Sequence, residues 1–594
     1  MDRKNFLLGM ACIVGAFALF FLTKPPTPVA AIPPAVTQVA ATKALPTMSA
    51  VPSSAARVDS LAIDKSKAEY PVIENDLIKV TLTTRGGAVH KIELKKEFSE
   101  VGKNEPIAFN VGNEDAALAL AHRDSNAGSL VGVYSGFSVR SKTATAVTLV
   151  GSLSDGSRVE RTYSVATPKV GEVGESYSLR FSTRVIPVAG KSAPSVWIST
   201  GCWMPTAGDT SNQFLSVLAY DGDDLTRVGL DKFTAASGFL GLGKHDAAIS
   251  SPIASLAKPL TWVASGNQFF ASILHPDAAV RGTRTEVIVL PVSFDPLKRS
   301  LQAFASWETP ADKDGVRTME GDFFVGPKEY ARVAALPDSQ VYVLQFSKLL
   351  GFISFGGICK LLLFVLGAVH WLLAWSGAWS WGWAIVLLTC LLKLITWPLT
   401  SMQMKAAKKM QKFAKPMQDI REKYKDNPEK LQKELMKLYT ENKINPFLGC
   451  LPILIQMPIF FGLYTAFQTT VELRLHSFLW IADLSAPDTV YTIGGVGGFP
   501  VNILPILMGL SMWQSMRMTP NPSADGSQKT IFLMMTLMFP VICYPMPAAL
   551  TLYMTIQNLL TILQTWLTKD EDARIKDEDV EVILPTNTRR KPKG

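Results

Sequence analysis

A series of long apolar segments occupies the C-terminal part of this 594-residue chain. A bilayer core holds no water to bond free backbone groups, so a segment that crosses it must be a helix or part of a closed barrel. The segments have the length of spanning helices, although the last two are near the short end. The sequence therefore predicts a polytopic α-helical membrane protein with core spans at about 382–401, 447–470, 501–517, 531–546 and 548–567.

Residues 68–340 show a different pattern, in which apolar and polar residues alternate as they do in β-strands. The segment Thr285–Leu290 is a clear example, and turn-forming residues follow other such runs, as at Arg85–Gly87 and Ser154–Gly156. No long helical period interrupts this region. The pattern predicts a large domain built from antiparallel strands, arranged as a β-sandwich.

The N-terminal region consists of an apolar run and a linker. Residues 1–22 begin with charged residues and continue with an apolar run, which we interpret as an uncleaved membrane anchor. A cleaved signal peptide is the alternative, with Val29-Ala30-Ala31 as its cleavage site. Lys24-Pro25-Pro26 separates the run from these small residues and favours the anchor. Residues 23–67 are rich in Pro, Ala, Thr and Ser, and are predicted to be a flexible linker.

A basic loop sets the predicted topology. Between Thr400 and Pro446 there are 12 Lys or Arg and 6 Asp or Glu, a net charge of +6 (12 − 6), and such loops remain in the cytoplasm. If the anchor leaves the cytoplasm, only one further span, 382–401, can precede this loop. Residues 345–377 are therefore predicted to be an amphipathic helix in the outer interface, the chain to have six spans, and the tail 568–594 to be cytoplasmic.

The basic loop, 401–446, has a helical pattern of its own. Its apolar residues follow a 3-4-3-4 spacing and resume after the break at Asp426-Asn427-Pro428, which predicts an antiparallel two-helix hairpin. The seam consists of Met410, Phe413, Met417, Ile420, Tyr424, Leu431, Leu435 and Leu438. The hairpin is either a solvated charged element or a docking platform for headgroups, ribosomal RNA or a nascent chain. The platform's candidate contacts are Lys405, Lys408, Lys409 and Lys412.

Lys393 is the residue that most suggests a function in the apolar half, because it lies inside the span 382–401. A charge at that depth costs about 3 kcal/mol on insertion scales, so an ionisable residue there is a functional candidate. The alternative is a side chain that reaches back to the cytoplasmic surface. Further polar groups could line a wet cavity that Lys393 faces, or could simply bond neighbouring helices. They are Thr389, Gln456, Thr465, Gln468, Thr555, Gln557 and Asn558.

The sequence contains no pattern typical of catalysis or metal binding. Only Cys202 of the six cysteines lies clearly in the soluble region, so no disulfide framework is expected. There is no HExxH, CxxC, P-loop or pair of intramembrane acids, and we expect no cofactor.

Two other functional classes remain open for this chain. A transporter would need paired repeats or an acidic midplane site. A membrane-anchored carbohydrate enzyme would need a histidine and carboxylate cluster in a cleft, and candidate histidines are His90, His122, His245 and His275.

Several longer strings resemble the YidC/Oxa/Alb family of membrane protein insertases. The most specific is the N-P-x-x-G-C-x-P-x-x-I-Q-x-P-I-F string that starts at Asn445. The resemblance covers about 380–567 and includes Leu391–Thr400 and Leu479–Ser485. In the soluble half, Thr83–Gly87 and Val325–Lys328 resemble the long Gram-negative form of the family.

This resemblance implies an insertase and chaperone of the inner membrane that is not an enzyme, with a periplasmic β-supersandwich beside the helical core. It implies a positive charge in a hydrophilic groove open to the cytoplasm and to lipid, and that position falls on Lys393. Substrate contacts fall on Thr389 and Tyr553. The family usually has arginine where this chain has Lys393. Lysine lacks the planar five-donor fork, so bidentate capture of a carboxylate is not expected, whereas attraction is. Met554 stands where an aromatic residue is common.

The resemblance also implies partners. They are nascent membrane proteins, the phospholipid bilayer, the Sec translocon (SecYEG and SecDF) and the ribosome. No DNA is expected among them.

Overall fold

The computed structural model describes most of the chain from Lys67 to Thr568. The predicted anchor, the linker before Lys67, the first part of the family string at 445–450 and the tail after Thr568 lie outside the described residues. The chain forms two compact units, the first ending at Val343 and the second beginning at Leu344. The described residues are 67–99, 104–113, 115–123, 130–166, 177–206, 209, 212, 214–233, 254–281, 283–295, 298–345, 356–375, 380–425, 427–442, 451–493, 498–518 and 526–568.

The described residues of the first unit are mainly in β-strands, with one short α-helix, α1, at Tyr330–Ala335. Its strands are β1 Val72–Glu74, β2 Ile78–Thr83, β3 Ala88–Phe98, β4 Pro106–Phe109, β5 Leu120–Arg123, β6 Leu130–Gly132, β7 Ser138–Lys142, β8 Ala146–Ser152, β9 Arg158–Val165, β10 Ser178–Ile186, β11 Trp197–Ser199, β12 Ser216–Tyr220, β13 Leu225–Gly229, β14 Ala254–Pro259, β15 Trp262–Gly266, β16 Phe270–Pro276, β17 Arg284–Asp295, β18 Lys298–Trp307 and β19 Arg317–Pro327.

These strands form three antiparallel sheets. The largest has nine strands in the order β13-β12-β15-β16-β19-β10-β9-β8-β7, and the next has six in the order β14-β17-β18-β11-β5-β6. The third is the four-stranded β1-β2-β3-β4. The nine- and six-stranded sheets meet where β15 contacts β18, and Ser265 Oγ donates a hydrogen bond to the Leu301 carbonyl at 3.2 Å. The predicted antiparallel β-domain is confirmed.

Alternation along the strands explains the core. In β10, Leu179, Phe181, Thr183 and Val185 are buried and the residues that alternate with them are more exposed, because successive side chains of a strand point to opposite faces. The same pattern in β9 places Arg161 on a buried face, where its side chain is wholly inaccessible. This buried charge contributes to a network that connects two of the sheets.

That network explains the Thr83–Gly87 string. Gly86 and Gly87 have φ of +74° and +59°, a region that side chains other than glycine rarely adopt. A Cβ on Gly86 would lie 2.4 Å from the Val133 carbonyl oxygen. The Gly87 carbonyl accepts hydrogen bonds from Arg161 Nη1 at 3.0 Å and from the Tyr163 hydroxyl at 2.8 Å. The string is therefore a tight turn that provides a buried acceptor.

The Val325–Lys328 string ends in a buried amine. Lys328 follows β19 and donates a hydrogen bond from Nζ to the Asn267 carbonyl at 2.6 Å. Burial, with a smaller effect of nearby Arg227, lowers the pKa of Lys328 to about 7. Like the glycine turn, this string has a structural role within the β-domain.

The second unit is helical apart from one hairpin of strands, β20 Thr489–Ile493 and β21 Phe499–Asn502. Its helices are α2 Gly356–Trp375, α3 Trp381–Lys412, α4 Ala414–Lys423, α5 Pro428–Glu441, α6 Leu451–Thr469, α7 Ile503–Met518, α8 Gly526–Ile542 and α9 Ala548–Leu567. Helices α2, α3, α6 and α9 share an apolar core that includes Leu366, Leu388, Phe467 and Leu550.

Two of the described helices are long and apolar enough to cross a membrane, Gly356–Trp375 and Trp381–Met402. The second coincides with the predicted span 382–401. The first falls within 345–377, which the charge distribution assigns to the interface, and its length and composition suit either placement. The total of six spans stays a prediction.

The basic segment contains two short helices that pack on each other. Helix α3 continues from the span to Lys412, and α4 and α5 then form the hairpin. Asn427 begins α5 by accepting a hydrogen bond from the Lys430 amide at 3.0 Å, a standard N-cap contact. Phe413, Met417 and Leu438 are buried between the helices. Tyr424 is absent from this cluster, and Tyr439 packs there instead.

One glycine allows α3 to pack closely against the loop that follows α6. A Cβ on Gly382 would lie 2.0 Å from Phe478 Cγ, a distance that only a shift of the ring or the helix could relieve. We expect Gly382→Ala to destabilise the helical unit by about 1–3 kcal/mol, measured as a lower midpoint of thermal unfolding in detergent.

A second helical glycine is the matched control. A Cβ on Gly367 in α2 would have no heavy atom within 4 Å. Gly367→Ala should leave stability unchanged or raise it by up to about 1 kcal/mol, because alanine favours the helix. Equal midpoints for the two variants would contradict close packing at Gly382.

Candidate functional site

Lys393 lies on the side of α3 that contacts α9. Its side chain is only 3% exposed, and its Nζ donates a hydrogen bond to Thr561 Oγ1 at 2.9 Å. The two residues are 168 positions apart in sequence, and the contact between α3 and α9 brings them together. The charge predicted inside the first core span therefore faces another helix.

The ammonium group of Lys393 has few partners. Among the described residues no carboxylate pairs with it, and the bond to Thr561 is its one hydrogen bond to a side chain. A lysine ammonium has three N–H donors, and a buried charge is costly unless it is paired and hydrogen-bonded. The remaining donors need water or a ligand with oxygen atoms.

A polar seam continues from Lys393 along the two helices towards the basic hairpin. Gln564 of α9 is fully buried, and its Nε2 donates to Thr400 Oγ1 at 2.9 Å and to Ser401 Oγ at 3.1 Å. Thr561 Oγ1 donates to the Gln557 carbonyl at 2.8 Å. Gln557 Oε1 is buried and has no hydrogen-bond partner in the described part of the chain. The seam thus combines spare donors at Lys393 with a spare acceptor at Gln557.

Sequence reasoning missed four members of this seam, Thr400, Ser401, Thr561 and Gln564. A signal was available in α9, where Tyr553, Gln557 and Thr561 recur every four residues and therefore share one helix face. The face contacted by α3 becomes known only once the two helices are placed.

The other predicted groove residues are dispersed. Thr389 is fully buried and donates to the Ile385 carbonyl of its own helix at 2.6 Å. Gln456 of α6 donates to the Tyr553 hydroxyl at 2.9 Å. Asn558 points to α7, where its Nδ2 lies 3.4 Å from Ser511 Oγ. The six predicted residues therefore fall into separate contacts, one of them within α3, and Lys393 and Gln557 are the two that adjoin the seam.

The predicted hairpin contacts are described only through their backbone. Lys405, Lys408, Lys409 and Lys412 belong to the last turns of α3, and their side chains lie outside the described part. In the residues that the structure describes, no cluster of three or more His, Cys, Asp or Glu has the arrangement of a metal site.

The part of the chain that contains the seam matches a known family. The family model described as 60Kd inner membrane protein matches residues 371–575, a range that includes α3 and α9. The membrane protein insertase YidC of Janthinobacterium sp. is 28% identical over 559 residues, which cover 91% of this chain and 92% of that protein. The YidC of Syntrophobacter fumaroxidans is 34% identical over 316 residues, which cover 52% of this chain and about half, 54%, of that protein.

A solved structure shows a weaker likeness over a similar length. The crystal structure of an active YidC insertase with its first transmembrane domain resolved aligns with 84% of this chain and 93% of its own chain, at 19% identity and a TM-score of 0.31. Residues 371–575 therefore match the 60Kd inner membrane protein family, and the chain is similar over most of its length to YidC membrane protein insertases.

Proposed function

We propose that this chain inserts proteins into the inner membrane and helps them fold, through a hydrophilic groove open to the cytoplasm and to lipid. The observation that carries the proposal is Lys393, a buried ammonium with unused donors in an apolar helix. A residue that served packing alone would not need this charge, because an apolar side chain of similar volume is often neutral or stabilising at such a position.

The groove would lower the barrier that a polar chain meets in lipid. A hydrophilic tail loses hydrogen bonds to water when it enters a bilayer, at several kcal/mol for each unsatisfied group. A wet groove that extends partway into the membrane shortens this path. Lys393 would attract acidic residues of the tail, and the membrane potential, positive outside, would assist each negative charge by about 2.3 kcal/mol per 100 mV.

The proposed groove is lined by Lys393, Thr389, Gln456, Tyr553, Gln557 and Asn558. Lys393 and Gln557 have spare hydrogen-bonding atoms for a substrate, whereas Gln456 and Tyr553 are bonded to each other. A substrate would therefore meet the Lys393 side of α9 first. Its apolar segment would move along the lipid-facing surface and partition into lipid by hydrophobic transfer. No nucleotide hydrolysis is required.

The topology that suits this function has six spans, a cytoplasmic N-terminus and tail, and a periplasmic β-domain. The basic hairpin region would be cytoplasmic, and α2 would lie in the outer interface. Labelling of a cysteine placed in the hairpin by an impermeant reagent outside intact cells would contradict this orientation.

The proposed partners follow from the same arrangement. Nascent membrane proteins are the substrates, and the chain would act alone or with the Sec translocon. The hairpin lysines, from Lys405 to Lys412, would contact the ribosome, the nascent chain or phospholipid headgroups.

Photocross-linking tests the groove and the hairpin together. A photoreactive amino acid at position 393 or 557 should cross-link to ribosome-bound nascent membrane proteins, because the proposed substrate path passes both positions. A probe at position 405 or 412 should cross-link to the ribosome or to the same chains. The products would be identified by immunoprecipitation of the nascent chain and by mass spectrometry.

A lipid-facing position on the same helix provides the control. Leu394 follows Lys393 directly and is 65% exposed. Cross-linking at position 394 that equals that at position 393 for the hydrophilic part of the nascent chain would contradict a groove. An absence of products at positions 405 and 412 would reject the hairpin contacts.

A further inference from the structure

The β-domain contains a cleft of about 550 Å³ that the insertion mechanism does not use. Its floor is the six-stranded sheet, where Glu286 of β17 lies directly opposite Ser306 of β18. These residues alternate with the fully buried Val287 and Ala305, so they belong to the other face of the sheet. His122, Asp155, Arg284, Glu286, Glu308 and Arg317 bring charged or titratable groups to the cleft.

The polar groups of the cleft are held in place by the protein. Asp155 accepts hydrogen bonds from the Ser157 amide at 2.8 Å and the Ser157 hydroxyl at 2.9 Å. Ser306 Oγ donates to the Val196 carbonyl at 2.9 Å. Arg317 Nη1 donates to the Thr309 carbonyl at 2.6 Å, which fixes the guanidinium. Groups oriented in advance lose little freedom when a ligand binds.

One donor in the cleft lacks an acceptor. Arg317 Nε is buried and has no hydrogen-bond partner among the described residues. A buried N–H without a partner is costly. A ligand oxygen or a bound water that entered beside the side chain would satisfy it.

The sheet itself disfavours an extended peptide as the ligand. The floor strands β17, β18, β11 and β5 are all interior strands of the six-stranded order. Their backbone groups already pair with neighbouring strands, so a peptide cannot add to the sheet at this place. The two tryptophans that line the cleft, Trp197 and Trp307, are almost fully buried, so neither ring offers a broad face to a side chain of a peptide.

The charges indicate the class of ligand. Three carboxylates face two guanidinium groups and one imidazole, so donors and acceptors are nearly balanced and no strong field of one sign favours a polyanion or a polycation. The volume lies within the range of about 300–1,000 Å³ typical of small-molecule sites. A sugar ring is neutral and carries hydroxyl groups that both donate and accept. We propose that this cleft binds a neutral saccharide.

Binding of sugars to the full-length chain in detergent tests this inference. Isothermal titration with glucose, galactose, N-acetylglucosamine and maltose should show binding of at least one. Glu286→Gln should weaken that binding roughly tenfold, because hydrogen bonds to a charged group are stronger than those to an amide. Ser195→Trp should abolish binding, because Ser195 lines the cleft and is exposed, so the indole would fill the space without entering the core.

The control is Glu320→Gln, which removes an exposed carboxylate from β19 of the nine-stranded sheet. It should leave the affinity for the sugar unchanged. The inference is wrong if none of the four sugars binds, or if binding survives both Glu286→Gln and Ser195→Trp. It is equally wrong if a hydrophilic peptide binds in place of the sugars and is lost in those two variants.

Discussion

Lys393→Ala is expected to reduce the insertion of substrates with acidic tails by roughly tenfold or more, the effect of losing one charge-assisted contact. The proposed cause is loss of the buried ammonium that attracts the tail between α3 and α9. Substrates with neutral tails should be affected much less. The measurement is translocation of the tail in cells that depend on this chain, followed by protease protection, with acidic and neutral versions of one substrate.

Two further variants distinguish the effect of the charge at position 393 from the effect of side-chain packing there. Lys393→Arg keeps the charge and should restore insertion, whereas Lys393→Met keeps most of the volume and should not. Because a buried charge without a carboxylate is costly, Lys393→Met should unfold at the same temperature as the parent chain or higher. Equal insertion by the Ala and Lys forms would reject the charge-capture mechanism. A large loss of stability in the Met form would instead indicate a structural role.

Arg161→Met is expected to destabilise the β-domain by about 2–4 kcal/mol, because it removes the hydrogen-bond donor of several buried neutral acceptors. Arg161 Nη1 and Nη2 bond the carbonyls of Gly87 and Leu118 at 3.0 and 2.7 Å, and Nε bonds Thr183 Oγ1 at 3.3 Å. Each buried acceptor left unpaired costs about 1–3 kcal/mol. Thermal and denaturant unfolding of the full-length chain, followed by the loss of β-sheet signal, measures the change.

An exposed arginine of the same sheet is the matched control. Arg140 pairs with Glu160 at 2.6 Å on the surface, where the arginine side chain is 59% exposed. Arg140→Met should change stability by no more than about 1 kcal/mol, because water and salt screen exposed pairs. If both arginines had equal effects, the buried network would not be the reason for the loss.

Much of the architecture followed from periodicity. Alternation over 68–340 predicted antiparallel strands, because the side chains of a strand point alternately to the two faces. The hairpin seam was read in the same way from its helical spacing, and the structure buries Phe413 and Met417 against Leu438. Tyr439 also lies in that cluster, whereas Tyr424 and Leu431, which the spacing predicts for the seam, do not.

The candidate site followed from the sequence only in part. Lys393 was identifiable because a charge inside an apolar run is rare for a physical reason, its cost of desolvation. Its neighbour Thr561 was not, since a threonine in a helix ordinarily bonds its own backbone. The β-domain cleft was equally hidden, because the spacing of His122, Asp155 and Glu286 along the chain shows nothing.

The order of residues shows where the chain is apolar, where it alternates and where it is basic, and hence predicts a helical membrane unit, a separate β-domain and a lysine inside the first core span. The packing of helices and sheets is needed to know that Lys393 bonds Thr561, that Asn558 points to α7 and that three distant carboxylates share one cleft. The physical reason is the distance along the sequence over which each kind of interaction acts. Periodicity and charge act through local geometry and solvation, whereas contacts between residues far apart in sequence depend on how packed elements rotate against one another.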